Sequence, residues 1–183
     1  MTDGEILTLY RAGEQEKAFG EIVKAYSERL YWHVRSLVGS HDDTDDLLQD
    51  IFVKIWAALP SFRGEAQLFT WIWRIATNEA LNFIKKQKNR SVLSGEDATD
   101  VASRMPDEDA YFNGDEAQQL LSVAISQLPP KQRTVFTMRY YDEMKYEDIQ
   151  KITGGTVSSL KASYHFAYEK VKDYLLKKMS VRI

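Results

Sequence analysis

The sequence predicts an all-α fold: two small helical domains joined by a flexible acidic linker, the second containing a helix-turn-helix. Three observations carry this. Apolar residues recur at i, i+3 and i+4 over long stretches on either side of residues 91–114. Those residues lack the period and are rich in acids. No segment alternates apolar and polar as a strand does.

Taken in order, Phe19, Ile22, Val23, Tyr26, Leu30, Val34, Leu37 and Val38 place an amphipathic helix over about 14–38, ended by Gly39-Ser40. Leu47, Leu48, Ile51, Phe52, Ile55, Trp56 and Leu59 form the clearest stripe in the chain. Asp42 to Asp46 favour the N-terminus of that helix through its dipole, and Pro60 blocks its continuation. After a loop at Ser61-Phe62-Arg63-Gly64, a third long helix runs over about 66–88 on Leu68, Ile72, Ile75, Ala76, Ala80, Phe83 and Ile84. Ser91, Ser94, Gly95, Pro106, Asn113 and Gly114 then punctuate a stretch read as the linker, which sets domains at 1–90 and 115–183. Periodicity resumes at Leu120, Leu121, Ala124, Ile125 and Leu128. Pro129-Pro130 breaks it before a helix carrying Val135, Phe136 and Tyr140. Two more helices follow, Tyr146 to Thr153 and Val157 to about Lys178, separated by Gly154-Gly155 with Thr156 as N-cap.

Composition bounds the function. With 44% hydrophobic and 28% charged residues the chain is globular. It has no cysteine, which excludes disulfides, thiolate metal sites and cysteine nucleophiles. The histidines His33, His41 and His165 form no ligand pair, and no nucleophile–base set or phosphate loop is present, so no metal, cofactor or enzymatic activity is expected. No apolar run approaches the roughly 20 residues of a membrane span, and the acidic N-terminus has no signal pattern. The expectation is a soluble, cytoplasmic protein with no membrane insertion. Its formal charge of −3 argues against a simple nucleic-acid coat. The signs are nevertheless segregated. Asp42, Asp43, Asp45, Asp46 and Asp50 stand without a base. Lys85, Lys86, Lys88 and Arg90 stand without an acid, and bases outnumber acids after Val157. Such blocks suit a protein that meets DNA at some surfaces and a basic protein at others.

Three constellations carry chemistry. In the third helix Trp71, Arg74, Asn78, Asn82 and Lys85 share a face distinct from the apolar stripe, able to stack on and hydrogen-bond unpaired bases. Phe62, Phe69 and Trp73 widen the aromatic set, although aromatics here also serve simply as core. The acidic helix presents Asp46, Gln49, Asp50, Val53 and Lys54 beside its stripe, either as a solvated face or as a protein contact marked by the lone Val53. In the last helix Val157, Leu160, Tyr164, Ala167 and Val171 pack inward. Ser158, Ser159, Ala162, Ser163, His165 and Phe166 lie away from that face and allow close approach to base edges, with Lys161 in reach of a phosphate.

Asp45-Asp46-Leu47-Leu48-Gln49-Asp50-Ile51-Phe52-Val53-Lys54-Ile55-Trp56, then Phe62-Arg63-Gly64 and Thr70 to Ala80, resembles region two of the extracytoplasmic-function (ECF) sigma factors of the sigma-70 family. Leu128-Pro129-Pro130-Lys131-Gln132-Arg133-Thr134-Val135-Phe136, then Tyr146-Glu147-Asp148-Ile149 and the Thr156 to Val171 helix, is similar to region four. The resemblance implies a factor that brings RNA polymerase to specific promoters and helps open the DNA. It implies that Asp45, Asp46, Gln49, Asp50, Val53 and Lys54 dock on the clamp helices of the polymerase's largest subunit. Phe62, Arg63, Trp71, Trp73, Arg74, Asn78, Asn82, Lys85, Lys86, Lys88 and Arg90 would recognise and melt the minus-ten element. Thr156, Ser158, Ser159, Lys161, Ala162, Ser163 and His165 would read the minus-thirty-five element, with the second domain on the flap of the other large subunit. The linker would run through the RNA channel, and an anti-sigma factor is a further expected partner. The family often has basic residues at Phe69, Ser163 and Phe166, and aliphatic ones at Thr153 and Gly155, so the upstream sequence read by this chain stays open.

Two rivals are a stand-alone regulator with a helical sensor domain and an adaptor or anti-sigma-like protein without DNA contact. The melting-type face argues against the first, and the Lys85 to Arg90 run with the Arg-Asn-Asn face against the second.

Overall fold

Helix ends follow local chemistry throughout the computed structural model, which describes residues 1–94 and 116–180. Helix α1 (Asp3–Arg11) opens on a capping box: Thr2 Oγ1 accepts from the Glu5 amide while the Glu5 carboxylate accepts from the Thr2 amide. No helix is predicted from the sequence over these nine residues. Helix α2 (Gln15–Val38) ends at Gly39, whose φ of 87° suits glycine and whose N–H donates to the Arg35 carbonyl. Helix α3 (His41–Ala58) starts on Ser40, whose Oγ accepts from the Asp43 amide. At Pro60 the chain tightens into a 3-10 turn, Leu59–Ser61, instead of stopping outright.

Helix α4 (Leu68–Ser94) runs past the predicted end near residue 88. Polar composition does not end a helix, and the first residue after Leu68 with a strong breaking tendency is Gly95. Residues 91–94, assigned to the linker from sequence, are therefore helical. The rest of the predicted linker and the start of the second domain at 115 lie outside the described residues. Helix α5 (Glu116–Ser126) precedes α6 (Pro130–Tyr140), which has proline at its first position, then α7 (Tyr146–Thr153) and α8 (Val157–Ser180). Between α7 and α8, Gly154 and Gly155 take φ of 76° and 82°, and a Cβ on Gly155 would come within 3.2 Å of Ser159 Oγ. Thr156 caps α8 reciprocally with Ser159: each side-chain oxygen accepts from the other's amide at 3.1 Å.

The fold is all-α, and there is no strand among the described residues. Helices α1 to α4 form the first unit, with α2, α3 and α4 mutually packed. Helices α5, α6 and α7 pack on α8 in the second. The two units also share a core. One cluster of buried side chains runs from Ile22, Leu30, Ile51, Ile55, Ile72 and Trp73 into Val135, Met138, Met144, Ile149 and Leu160. A smaller cluster, Ala124, Ile125, Leu128, Phe136, Ala167 and Val171, belongs to the second unit alone. The seam is made by α6 against α2 and by α7 against α4.

Candidate nucleic-acid interface

Helix α4 divides its side chains cleanly. Ile72, Ala76 and Ala80 are fully buried, whereas Arg74, Asn78, Asn82, Lys85, Lys86, Lys88 and Arg90 are exposed. Trp71 is half-buried against Phe62, ring centroids 5.1 Å apart, and Arg63 is exposed beside them. Asn78 lines an open depression between α3 and α4 with Lys54, Ala57, Ala58, Ile75 and Glu79. A line of aromatic, guanidinium, amide and ammonium groups thus borders a shallow apolar hollow, an arrangement suited to bases lifted out of a stack.

Trp73 departs from the prediction. It is completely buried, 4.2 Å from Phe69 and 6.1 Å from Tyr26 between ring centroids, with the Arg29 guanidinium over it. Two positions along a helix turn the side chain by about 200°, so Trp71 and Trp73 cannot share a face. Trp73 is core in this conformation.

On α3, Asp45, Asp46, Gln49, Asp50 and Val53 are all exposed. Lys54 is exposed too, but its ammonium is paired with Glu79 of α4 and braces the two helices. Trp56, placed on the apolar stripe by its spacing, packs edge-on to Phe19 yet stays 41% exposed, and Val53 one turn earlier is 66% exposed. An acidic face with an apolar rim is what results.

On α8, Ser158, Ser159, Lys161, Ala162 and His165 are exposed, while Ser163 is half-buried. Ser163 lies about 140° round the helix from Ser158, at the margin of the outer face. Thr156 and Ser159 spend part of their hydrogen-bonding capacity on the cap. Lys161 lies over the Tyr146 ring at 5.8 Å. Phe166 is 58% exposed beside His165 and Ala162, and its absence from the predicted set follows from weighing it as a missing base rather than as an apolar contact.

Residues 22–90 match the Sigma-70 region 2 family and residues 118–171 match Sigma-70, region 4. The ECF RNA polymerase sigma-E factor of Haemophilus influenzae is 30% identical, the match covering 94% of this chain and 95% of that protein. The chain belongs to the ECF sigma factors. The sigma-E factor of Escherichia coli K12 is 29% identical, with 93% of each chain covered. The fold also matches solved structures. RpoE of Bartonella quintana, in complex with the anti-sigma factor NepR, gives a TM-score of 0.72 at 24% identity over 87% of this chain and 97% of that one. CnrH, in complex with the cytosolic domain of CnrY, gives 0.67 at 20% identity over 95% and 97%. As an ECF sigma factor the protein directs promoter-specific transcription initiation. Sigma factors are non-enzymatic transcription factors that bind RNA polymerase and promoter DNA. No helix among the described residues is long and apolar enough to cross a membrane, and none of their His, Asp or Glu side chains cluster as a metal site.

Proposed function

We propose that this sigma factor divides its work among three exposed faces. Asp45, Asp46, Gln49, Asp50 and Val53 of α3, with Trp56 at the rim, dock on the polymerase clamp helices. Phe62, Arg63, Trp71, Arg74, Asn78 and Asn82 capture and open the minus-ten element, and Lys85, Lys86, Lys88 and Arg90 hold its phosphates. The outer face of α8 reads the minus-thirty-five element while the second domain sits on the flap. The single observation that carries this reading is the exposed Arg74–Asn78–Asn82–Lys85 line on α4, turned away from the buried Ile72, Ala76 and Ala80. The protein acts without catalysis or cofactor, in the cytoplasm, under an anti-sigma factor, with domains bounded near 1–90 and 115–183. Support for an anti-sigma partner comes from the solved sigma factor RpoE, which is bound to the anti-sigma factor NepR.

Run-off transcription with core polymerase and a genomic promoter library tests the reading. Discrete promoters should fire only when core and factor are both present, and gel shifts by the free acidic chain on those promoters should be weak. Tight, sequence-specific shifts by the isolated protein would instead favour a stand-alone regulator.

Within the α8 face, Phe166 and Ala162 are exposed and offer apolar contacts for thymine methyl groups. Phe166→Ala should cost roughly 1 kcal/mol of discrimination, about fivefold in transcription, at thymine-bearing upstream elements. Ser159→Glu preserves the Thr-x-x-Glu form of the cap, so α8 stays folded while a carboxylate meets the phosphates. Its transcription should fall on intact promoters relative to upstream-scrambled ones. Equal responses on both templates would remove α8 from the readout.

A further inference from the structure

The second domain grips the first beside the minus-ten face. Trp73 Nε1 donates to Asp142 Oδ2 at 3.0 Å, and the same oxygen accepts from His33 Nδ1 at 2.8 Å. His33 Nε2 in turn lies 3.0 Å from Thr77 Oγ1. His33 is 1% exposed, and the Asp142 side chain only 8%. The hydroxyl of Thr77 can donate or accept, so Nδ1 serves as donor to Asp142 whichever charge the ring carries. Asp142 sits in the α6–α7 turn, directly before Glu143, which holds a left-handed φ of 52° although it is not glycine. Such a backbone conformation persists where its surroundings enforce it. Here the turn is closed on itself by Met144 N–H to the Met138 carbonyl and by Arg139 to the Met144 carbonyl, and its Asp142 side chain projects into the notch formed by His33 and Trp73.

Other bonds close the same seam. Arg133 donates to the Leu37 carbonyl at 2.7 Å, within the last turn of α2, where carbonyls lack helical partners. Ser36 Oγ donates to Thr137 Oγ1 at 3.2 Å. The Arg74 guanidinium donates to the Lys151 carbonyl of α7. Trp73 and Arg74 are therefore both engaged by the second domain, and α7 lies against the helix that carries the proposed melting face.

This closed form cannot read a promoter. Elements centred near minus ten and minus thirty-five are about 25 base pairs apart, or ~85 Å at about 3.4 Å per pair. A compact chain of 183 residues has a radius of gyration of about 16 Å. Domains that share a core cannot reach both elements. We infer that the α6–α7 turn is a latch: its Asp142 carboxylate occupies the His33–Trp73 notch of the first domain, holds the free factor closed, and must be withdrawn before promoter engagement. The inference rests on the division of labour proposed above.

The chain has no cysteine, so a pair introduced across the seam is the only pair. Ser36→Cys with Thr137→Cys changes each side chain little, and the reduced protein is its own folding control. Under mild oxidation the disulfide should form, seen as a mobility shift on non-reducing gels. Run-off transcription should then fall at least tenfold, and reductant should restore it. Undiminished transcription by the fully cross-linked protein overturns the latch while leaving the sigma reading intact. Failure of the thiols to join under oxidant overturns the closed form in solution. If neither wild type nor reduced variant initiates, the underlying reading is what fails. Spin labels on K24C and K177C, both exposed positions, isolate the role of Asp142. Asp142→Ala should add a long, broad distance population to the short one of the otherwise unchanged full chain. An unaltered distribution removes Asp142 from the latch.

Discussion

Replacing Asp46 and Asp50 together by lysine is expected to weaken binding to core polymerase by on the order of a hundredfold. Both carboxylates are exposed and stand one turn apart on α3, off the stripe of Leu47, Ile51 and Ile55 that the core uses. Close charge pairs across protein interfaces couple by ~1.5 kcal/mol or more, and ~1.4 kcal/mol is a factor of ten. Reversal converts two such attractions to repulsions. The fold has little at stake. Neither residue is in the first turn of α3, where Asp42 and Asp43 meet the dipole, and lysine is the better helix former. Much of the loss should appear in the association rate and shrink as salt rises. Fluorescence anisotropy of labelled factor against core, with circular dichroism as control, measures both. Undiminished affinity with an unchanged helical spectrum would make these acids a solvated face and nothing more.

What was legible in the sequence was whatever a helix expresses locally. The α3 stripe, the glycine stop at Gly39, the Thr156 cap and the polar line along α4 are spacings of three and four residues or single-residue backbone preferences, so periodicity reports them. Grouping Trp73 with Trp71 set adjacency in sequence above helical geometry, which turns the two side chains to different faces and buries Trp73 here. Phe166 was visible, but an aromatic at an outer position says nothing about groove contact until its exposure is known. The closed arrangement was illegible for a different reason. His33 and Asp142 are 109 residues apart and Ser36 and Thr137 are 101 apart, and each looks like an ordinary surface polar residue of its own domain. Only the packing of α6 on α2 gives them partners. The helical turn at 91–94 was missed because Ser91 and Ser94 look like loop, although neither stops a helix already under way.

The Asn78→Ala, Asn82→Ala double variant is expected to lower promoter opening by roughly tenfold to a hundredfold, since contacts to single bases are worth ~1–3 kcal/mol each. Stability should not fall with it. Both side chains are exposed on α4, one turn apart, and alanine is the better helix former by about half a kcal/mol. A melting temperature equal to or slightly above wild type would therefore accompany the lost activity, which separates this variant from one that merely unfolds. The template then divides melting from binding. On duplex promoters the enzyme must spend interaction energy on unpaired bases to offset the lost pairing and stacking, and the two amides supply part of it. A pre-melted bubble across the minus-ten element carries that cost beforehand, so the double variant should recover much of its activity there. Recovery stays partial if the amides also grip the flipped bases in the open complex. Permanganate footprinting of unpaired thymines, with holoenzyme on duplex and bubble templates, reads both quantities. Normal thymine reactivity on the duplex would show that α4 does not use this face to open DNA.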